Sequence, residues 1–138
     1  MDRKIRFGIV GVCNMGRMRL ETLKNRISQA EVTAVCSRDA KKVTALQEQY
    51  DIPLGYTEIE KMMQDETTDA VVISTGADAH KEPVVAACRG RKHIFCEKPL
   101  AKTLADCREI ETAVRENDDK CFTVAFMRRF DPSYAEAK

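Results

Sequence analysis

Ile5-Arg6-Phe7-Gly8-Ile9-Val10-Gly11-Val12-Cys13-Asn14-Met15-Gly16 is the stretch that decides the fold of this 138-residue chain. The apolar run predicts a short strand, and a helical pattern starts at Met15 and continues to about residue 28. Between them, Gly11 suits a tight turn and Gly16 suits close packing of the helix on a sheet. A dinucleotide-binding fold holds its pyrophosphate at such a turn, against the N-terminus of the helix.

Cys13 stands at the middle position of this turn, where the dinucleotide fingerprint has glycine. Its side chain takes space that a bare backbone leaves for the phosphates, so we expect weakened or slightly displaced cofactor binding. Asn14 and Met15 complete the group expected to face the cofactor here. A tight strand-to-helix turn in an α/β protein that binds no dinucleotide is the alternative.

The rest of the chain alternates short apolar runs with helical patterns, which is typical of βαβ units. We therefore predict the α/β class, with a doubly wound parallel (Rossmann) sheet of about six strands in one domain. The predicted strands lie at 5–10, 32–36, 54–56, 70–74, 93–96 and 122–126. Capping-box patterns at 57–60 and 103–106 predict two helix starts, and Asp39 suits a third.

Composition excludes several classes of partner. Lys plus Arg number 23 against 22 Asp plus Glu, so no basic field favours nucleic acid. No run approaches the ~20 apolar residues of a membrane span, and no signal peptide is evident, so we expect a cytoplasmic protein without a membrane partner. The six cysteines show no C-x-x-C spacing and the two histidines stand apart, so neither a metal site nor a disulfide is expected.

The end of the second predicted strand bears on the choice of cofactor. An acidic residue about 20 positions past the glycine turn would bind the ribose hydroxyls and select NAD. Ser37-Arg38 stands there instead, and a guanidinium suits a 2′-phosphate, so the sequence favours NADP over NAD. Asp39 would take the ribose role if the register were shifted by two, although capping the next helix is the simpler role for it.

Glu97-Lys98-Pro99 follows the fifth predicted strand. In α/β proteins the chemistry lies beyond the carboxyl ends of the parallel strands, which makes Lys98 a candidate proton carrier. An exposed Lys-Pro after a strand is otherwise an ordinary solvated turn.

These segments together resemble a known family. Gly8-Ile9-Val10-Gly11 with Gly16, Val71-Val72-Ile73-Ser74-Thr75 followed by His80, and residues 93–100 resemble the N-terminal domain of the Gfo/Idh/MocA oxidoreductases. The ending 125–134 is similar to their inositol 2-dehydrogenase branch. The resemblance implies hydride transfer between a nicotinamide and a polyol or sugar such as myo-inositol.

The resemblance also implies roles for particular residues. Lys98 is expected to touch both the substrate hydroxyl and the cofactor, and Met127 and Arg128 are expected near the polyol. Pro99 is expected after a cis peptide bond. The residues expected to contact the cofactor, from the glycine turn, the second strand and the resemblance together, are Gly11, Cys13, Asn14, Met15, Gly16, Ser37, Arg38, Thr75, Gly76, His80, Glu97 and Lys98.

Some positions depart from the family pattern or have simpler explanations. Gly76 and Ala77 stand where the family commonly has Pro-Asn, and Arg19 stands where histidine is frequent. His80 is equally suited to capping or packing. Arg128-Arg129 would also suit a solvated charge pair at a strand end.

A lysine alone is a poor base at neutral pH. The resemblance implies that an aspartate and a histidine of a second α+β domain relay the proton, and that this domain builds a homo-oligomer in the full-length parent. We expect residues 1–126 to be an NAD(P)-binding Rossmann domain and residues 127–138 to start the connection to the missing substrate domain. The chain alone is then expected to have little turnover. A non-catalytic dinucleotide-binding or protein-interaction module is the alternative.

Overall fold

Six parallel strands form a single sheet in the computed structural model, which describes residues 3–136. They are β1 (Ile5–Val10), β2 (Ala30–Cys36), β3 (Leu54–Tyr56), β4 (Ala70–Ile73), β5 (His93–Cys96) and β6 (Phe122–Val124). The strand order is β3-β2-β1-β4-β5-β6, and every neighbouring pair is parallel. The predicted doubly wound parallel sheet is therefore confirmed, and its order reverses between β1 and β4.

Helices cover both faces of this sheet. They are α1 (Asn14–Arg26), α2 (Ala40–Tyr50), α3 (Ile59–Gln64), α4 (Lys81–Arg89) and α5 (Leu104–Glu116), whereas α6 (Pro132–Glu136) buries no residue. Val71 and Ile73 of β4 pack in one hydrophobic cluster, and Val72 between them packs in the other, as the alternation of a strand requires. Among residues 3–136, no helix is long and apolar enough to cross a membrane.

Two of the three predicted helix starts are confirmed. Asp39 caps α2 by accepting a hydrogen bond from the Lys41 amide at 3.0 Å, and Thr103 caps α5 by accepting one from the Asp106 amide at 3.1 Å. The capping box predicted at 57–60 is wrong. Glu58 is the N-cap of α3, has an extended backbone and makes no capping bond, because α3 starts one residue later, with Ile59 packed against the core.

Some element ends also differ from the prediction, and for β2 and β6 pairing between strands determines them. β2 starts at Ala30, which pairs with Ile5 at the start of β1. β6 ends at Val124 because its partner strand β5 ends at Cys96. α1 ends at Arg26, before the residue expected from the helical pattern.

An aspartate ties β1 to the start of β4 at the amino edge of the sheet. Arg6 donates from Nε and Nη2 to the two oxygens of Asp69 at 3.0 and 2.8 Å, and the Arg6 amide donates to Oδ2 at 2.9 Å. The Arg6 guanidinium holds the pKa of the Asp69 carboxyl well below its usual range. The native state therefore favours the ionised carboxylate.

We expect Asp69→Asn to lower the free energy of unfolding at pH 7 by about 1–3 kcal/mol, because it removes charge-assisted hydrogen bonds. The folded-state pKa lies below the unfolded one, so this stabilisation is present above about pH 4 and is lost as the pH falls toward the folded-state value. Urea unfolding between pH 3 and 7 measures it. Asp118→Asn, which removes an exposed carboxylate, is the control. An equal effect of both substitutions would contradict the assignment.

Candidate functional site

A cleft of about 890 Å³ opens at the carboxyl edge of the sheet. It lies where the strand order reverses, the place at which doubly wound sheets bind ligands. The loops after β1, β2 and β4 line it together. Of the residues predicted from sequence to contact a cofactor, those in its wall are Gly11, Cys13, Ser37, Arg38, Thr75 and Gly76.

The glycine turn is closely packed against the end of β4 on one side and against α1 on the other. Gly11 has a φ of +86°, and a Cβ there would lie 2.7 Å from the Thr75 amide nitrogen. A Cβ on Gly16 would lie 1.9 Å from the Gly11 carbonyl oxygen. Both positions therefore require glycine, as predicted, and their packing directs the N-terminus of α1 at the cleft.

Cys13 occupies the N-cap position of α1. Its φ of −73° is open to any residue, so glycine is not needed there for backbone conformation. The thiol donates to the Ser74 carbonyl at 3.1 Å, which holds the side chain against the end of β4. In the described part of the chain, no side chain caps the α1 N-terminus. The amides of its first turn, from Asn14 to Gly16, are thus suited to an anion from outside the chain.

The end of β2 contributes positive charge to the same cleft. Arg38 and Lys42 lie in its wall beside Ser37 and Asp39. One carboxylate oxygen of Asp39 accepts hydrogen bonds from two amides of α2, so Asp39 has the simpler, capping role predicted for it. Burial raises the pKa of the Cys36 thiol to about 11, so this cysteine is a neutral part of the cleft wall.

Glu97 and Lys98 lie beyond this cleft, in the loop that follows β5. Glu97 is only 5% exposed, and its Oε1 lies 2.6 Å from Nε of Arg19 on α1. Lys98 is exposed. The Lys98–Pro99 peptide bond is cis, as the resemblance implied.

His80 is placed differently from the expectation that it lines the cofactor groove. It is 1% exposed and is not among the residues of the cleft wall. Its Nδ1 lies 2.9 Å from the Pro99 carbonyl oxygen and its Nε2 lies 3.0 Å from that of Thr75. The buried His80 side chain therefore joins the loop after β4 to the loop after β5. This is the packing role that the sequence left open.

Met127 and Arg128 lie in a 3₁₀ turn, Met127–Phe130, after β6. Met127 is 55% exposed. The Arg128 guanidinium stacks over the Tyr134 ring at 4.5 Å and donates to its hydroxyl. Neither residue is in the cleft wall, which six of the predicted cofactor residues share.

Sequence reasoning missed several polar residues of the cleft wall, namely Lys42, Thr57, Ser74, Asp78 and Glu82. Ser74 is 2% exposed, and its hydroxyl has no hydrogen-bond partner in the described structure. A polar residue that ends an otherwise apolar strand was the available signal for Ser74. Lys42 lies in the first turn of α2, whereas Arg38 precedes that helix, so no helical spacing indicated that the two share a wall.

The described residues contain no cluster of three or more His, Cys, Asp or Glu side chains that could hold a metal ion. All six cysteines, from Cys13 to Cys121, are free thiols. The polar groups that line the cleft are backbone amides, hydroxyls and charged side chains.

A parallel sheet in this order, with a glycine turn and an uncapped helix N-terminus at its switch point, defines a dinucleotide-binding domain of the Rossmann type. Residues 5–126 match the family model Gfo/Idh/MocA, described as an oxidoreductase family with an NAD-binding Rossmann fold. The chain belongs to this family.

Inositol dehydrogenases are among its relatives. The inositol 2-dehydrogenase of Salmonella typhimurium is 36% identical over 135 residues, which are 97% of this chain and 40% of that protein. A Lactobacillus casei scyllo-inositol dehydrogenase, solved with NAD(H) and scyllo-inositol, is 25% identical with a TM-score of 0.91 over 98% of this chain and 40% of that one. A myo-inositol dehydrogenase from the same organism, in complex with NAD(H) and myo-inositol, is 32% identical with a TM-score of 0.88. The match covers 94% of this chain and 38% of that one. The chain thus spans about 40% of the length of the relatives it matches.

We expect Gly16→Ala to lower the free energy of unfolding by about 1–3 kcal/mol, because the new methyl group meets a backbone carbonyl that cannot move away easily. Thermal or urea unfolding followed by circular dichroism measures it. Gly76→Ala is the matched control, since its new Cβ meets only the end of the exposed Asp78 side chain. A Gly16→Ala protein as stable as Gly76→Ala would show that the close approach of α1 to the turn is not required.

Proposed function

We propose that this chain is the nucleotide-binding part of an NAD(P)-dependent oxidoreductase that acts on a secondary alcohol of a polyol or sugar such as myo-inositol. The observation that carries the proposal is the uncapped N-terminus of α1, which two obligatory glycines direct at the cleft. The names of the relatives, which are inositol dehydrogenases, support the substrate class.

The residues present fit a dinucleotide. Its pyrophosphate would lie against the amides of Asn14, Met15 and Gly16, where the helix dipole favours negative charge. The adenosine would lie toward the end of β2. The nicotinamide would then lie toward Thr75, Gly76 and the loop after β5, on the other half of the sheet.

When bound, the nicotinamide supplies the hydride acceptor for alcohol oxidation. Lys98, exposed at the end of β5, is proposed to contact the substrate hydroxyl and to take part in removing its proton. Met127 and Arg128 are proposed to approach the polyol. An ammonium group has no lone pair to accept that proton, so Lys98 needs a partner base.

The segment after β6 suits a connection to further chain. We propose that residues 127–138 begin the connection to a substrate domain that supplies the partner base and builds a homo-oligomer. Phe126, Met127, Phe130 and Tyr134, which are each about half exposed or more, suit contact with additional chain. The chain by itself is then a binding unit with little turnover. A dinucleotide-binding module without catalysis would share this cleft but would need no exposed Lys98.

We propose that the cofactor is NADP in preference to NAD. Arg38 and Lys42 both line the cleft at the end of β2, and one carboxylate oxygen of Asp39, which lies beside them, is occupied as a helix cap. Two cations beside a hydroxyl suit a 2′-phosphate. The solved relatives hold NAD(H), so this preference would distinguish the chain from them.

Titration of NADPH and NADH into the chain by calorimetry tests the proposed binding unit. We expect both to bind, with NADPH the tighter. Cys13→Gly should tighten both about two- to tenfold, because it removes a side chain from the phosphate path. If neither the wild type nor Cys13→Gly bound either dinucleotide, the cofactor assignment would be wrong.

The preference for NADP has its own test. Arg38→Ala should weaken NADPH binding about 10- to 150-fold, the value of charge-assisted hydrogen bonds of about 1.5–3 kcal/mol, and leave NADH within about twofold. Lys41→Ala removes a neighbouring charge outside this cleft wall and is the control. Equal losses for NADPH and NADH would contradict the role given to Arg38.

A further inference from the structure

The ion pair between Arg19 and Glu97 has no part in the function proposed so far. It joins α1, whose N-terminus faces the cleft, to the loop that carries Lys98. Nε of Arg19 lies 2.6 Å from Oε1 of Glu97. The Glu97 side chain is only 7% exposed, against 27% for Arg19, so the carboxylate is shielded from water and the guanidinium reaches in from the surface.

Burial makes this pairing obligatory for Glu97. A carboxylate taken out of water costs free energy unless an opposite charge and hydrogen bonds compensate it. Among the described residues, Arg19 provides the salt bridge that Glu97 makes. The Arg19 guanidinium also lies over the ring of Phe95 on β5, 5.2 Å from its centroid, which adds a cation–π contact to the ion pair. A flexible ammonium would not combine this stacking with the same donor geometry.

The location of the pair gives it a consequence for the cofactor, on the proposed function. The nicotinamide half of a dinucleotide lies on the β4–β5 side of the switch point, where Glu97 follows β5 directly. The oxidised nicotinamide ring carries a positive charge that the reduced ring lacks. A lone buried carboxylate nearby would therefore favour the oxidised cofactor, whereas a carboxylate neutralised by a guanidinium exerts little net field.

We propose that Arg19 is a positioning residue that neutralises Glu97 and thereby sets the relative affinity of the site for the oxidised and reduced dinucleotide. This inference rests on the proposed function, because it needs a nicotinamide beside Glu97. The direction of the change in the affinity ratio depends on which charge is removed. Removal of the guanidinium leaves an excess negative charge, and removal of the carboxylate charge leaves an excess positive one, so the two changes shift the affinity ratio in opposite directions.

The test is calorimetric titration of NADP⁺ and NADPH into the wild-type chain, Arg19→Met and Glu97→Gln, or of NAD⁺ and NADH if the wild type binds those more tightly. We expect Arg19→Met to shift the ratio of the two Kd values about three- to tenfold toward the oxidised form, and Glu97→Gln to shift it by a similar factor toward the reduced form. The double variant should return to within about twofold of the wild-type ratio.

Three controls separate charge at the nicotinamide end from other effects. Arg26→Met removes the same charge from the far end of α1 and should leave the ratio unchanged. Arg19→Lys keeps the charge and should stay within about twofold of wild type. Binding of 2′-phospho-ADP-ribose, which has the adenosine end without the nicotinamide, should be the same in all variants. If Arg19→Met does not fold, Glu97→Gln still tests the sign by itself, because it leaves no buried carboxylate.

Failure of dinucleotide binding and failure of the predicted charge effect can be told apart. A wild-type chain that binds no dinucleotide overturns the proposed function and the inference with it. A wild-type chain that binds, with Arg19→Met and Glu97→Gln both leaving the ratio unchanged or shifting it in the same direction, overturns the inference alone. Opposite shifts with unchanged 2′-phospho-ADP-ribose binding support it, since a merely structural pair would weaken both redox forms equally.

Discussion

The close approach of α1 to the glycine turn is the constraint on which the rest of this structure depends. A methyl group on Gly16 would sit 1.9 Å from the Gly11 carbonyl oxygen, so the helix can lie this near the turn only because Gly16 lacks a side chain. That approach directs the helix N-terminus at the cleft and puts Leu20 and Leu23 into the core. It also brings Arg19, one residue before Leu20, within reach of the loop after β5.

Contacts between loops complete the carboxyl edge. All six parallel strands end there, but a strand end does not by itself determine where the following loop goes. His80 contacts carbonyl oxygens of the loops after β4 and β5. Arg19 on α1 forms an ion pair with Glu97 in the loop after β5. Both residues sit on elements whose positions the core determines. The exposed Lys98 is thus displayed on a loop that is anchored on both sides of it.

The sequence predicted the sheet well because its signals are local. Apolar runs such as 70–73 are buried on both faces and can be recognised without knowledge of their neighbours. The start of β2 and the end of β6 were less well predicted, since a partner strand determines how far a ladder extends. The capping box at 57–60 failed for a similar reason: the helix start is where Ile59 packs on the core. The sequence left His80 open between the groove and a packing role, because sequence order says nothing about depth.

The sequence by itself determined the class of fold, the glycine turn and the positions of the polar residues that end the strands, because these follow from periodicity and from the steric needs of short segments. Only the tertiary structure decided which of those residues share a wall. It placed Ser37, Arg38 and Thr75 in one cleft, set His80 beneath it, and paired Arg19 with Glu97 across 78 positions of sequence. The physical reason is that contacts between distant segments arise from the packing of helices on the sheet, and no local pattern encodes the distance between two loops.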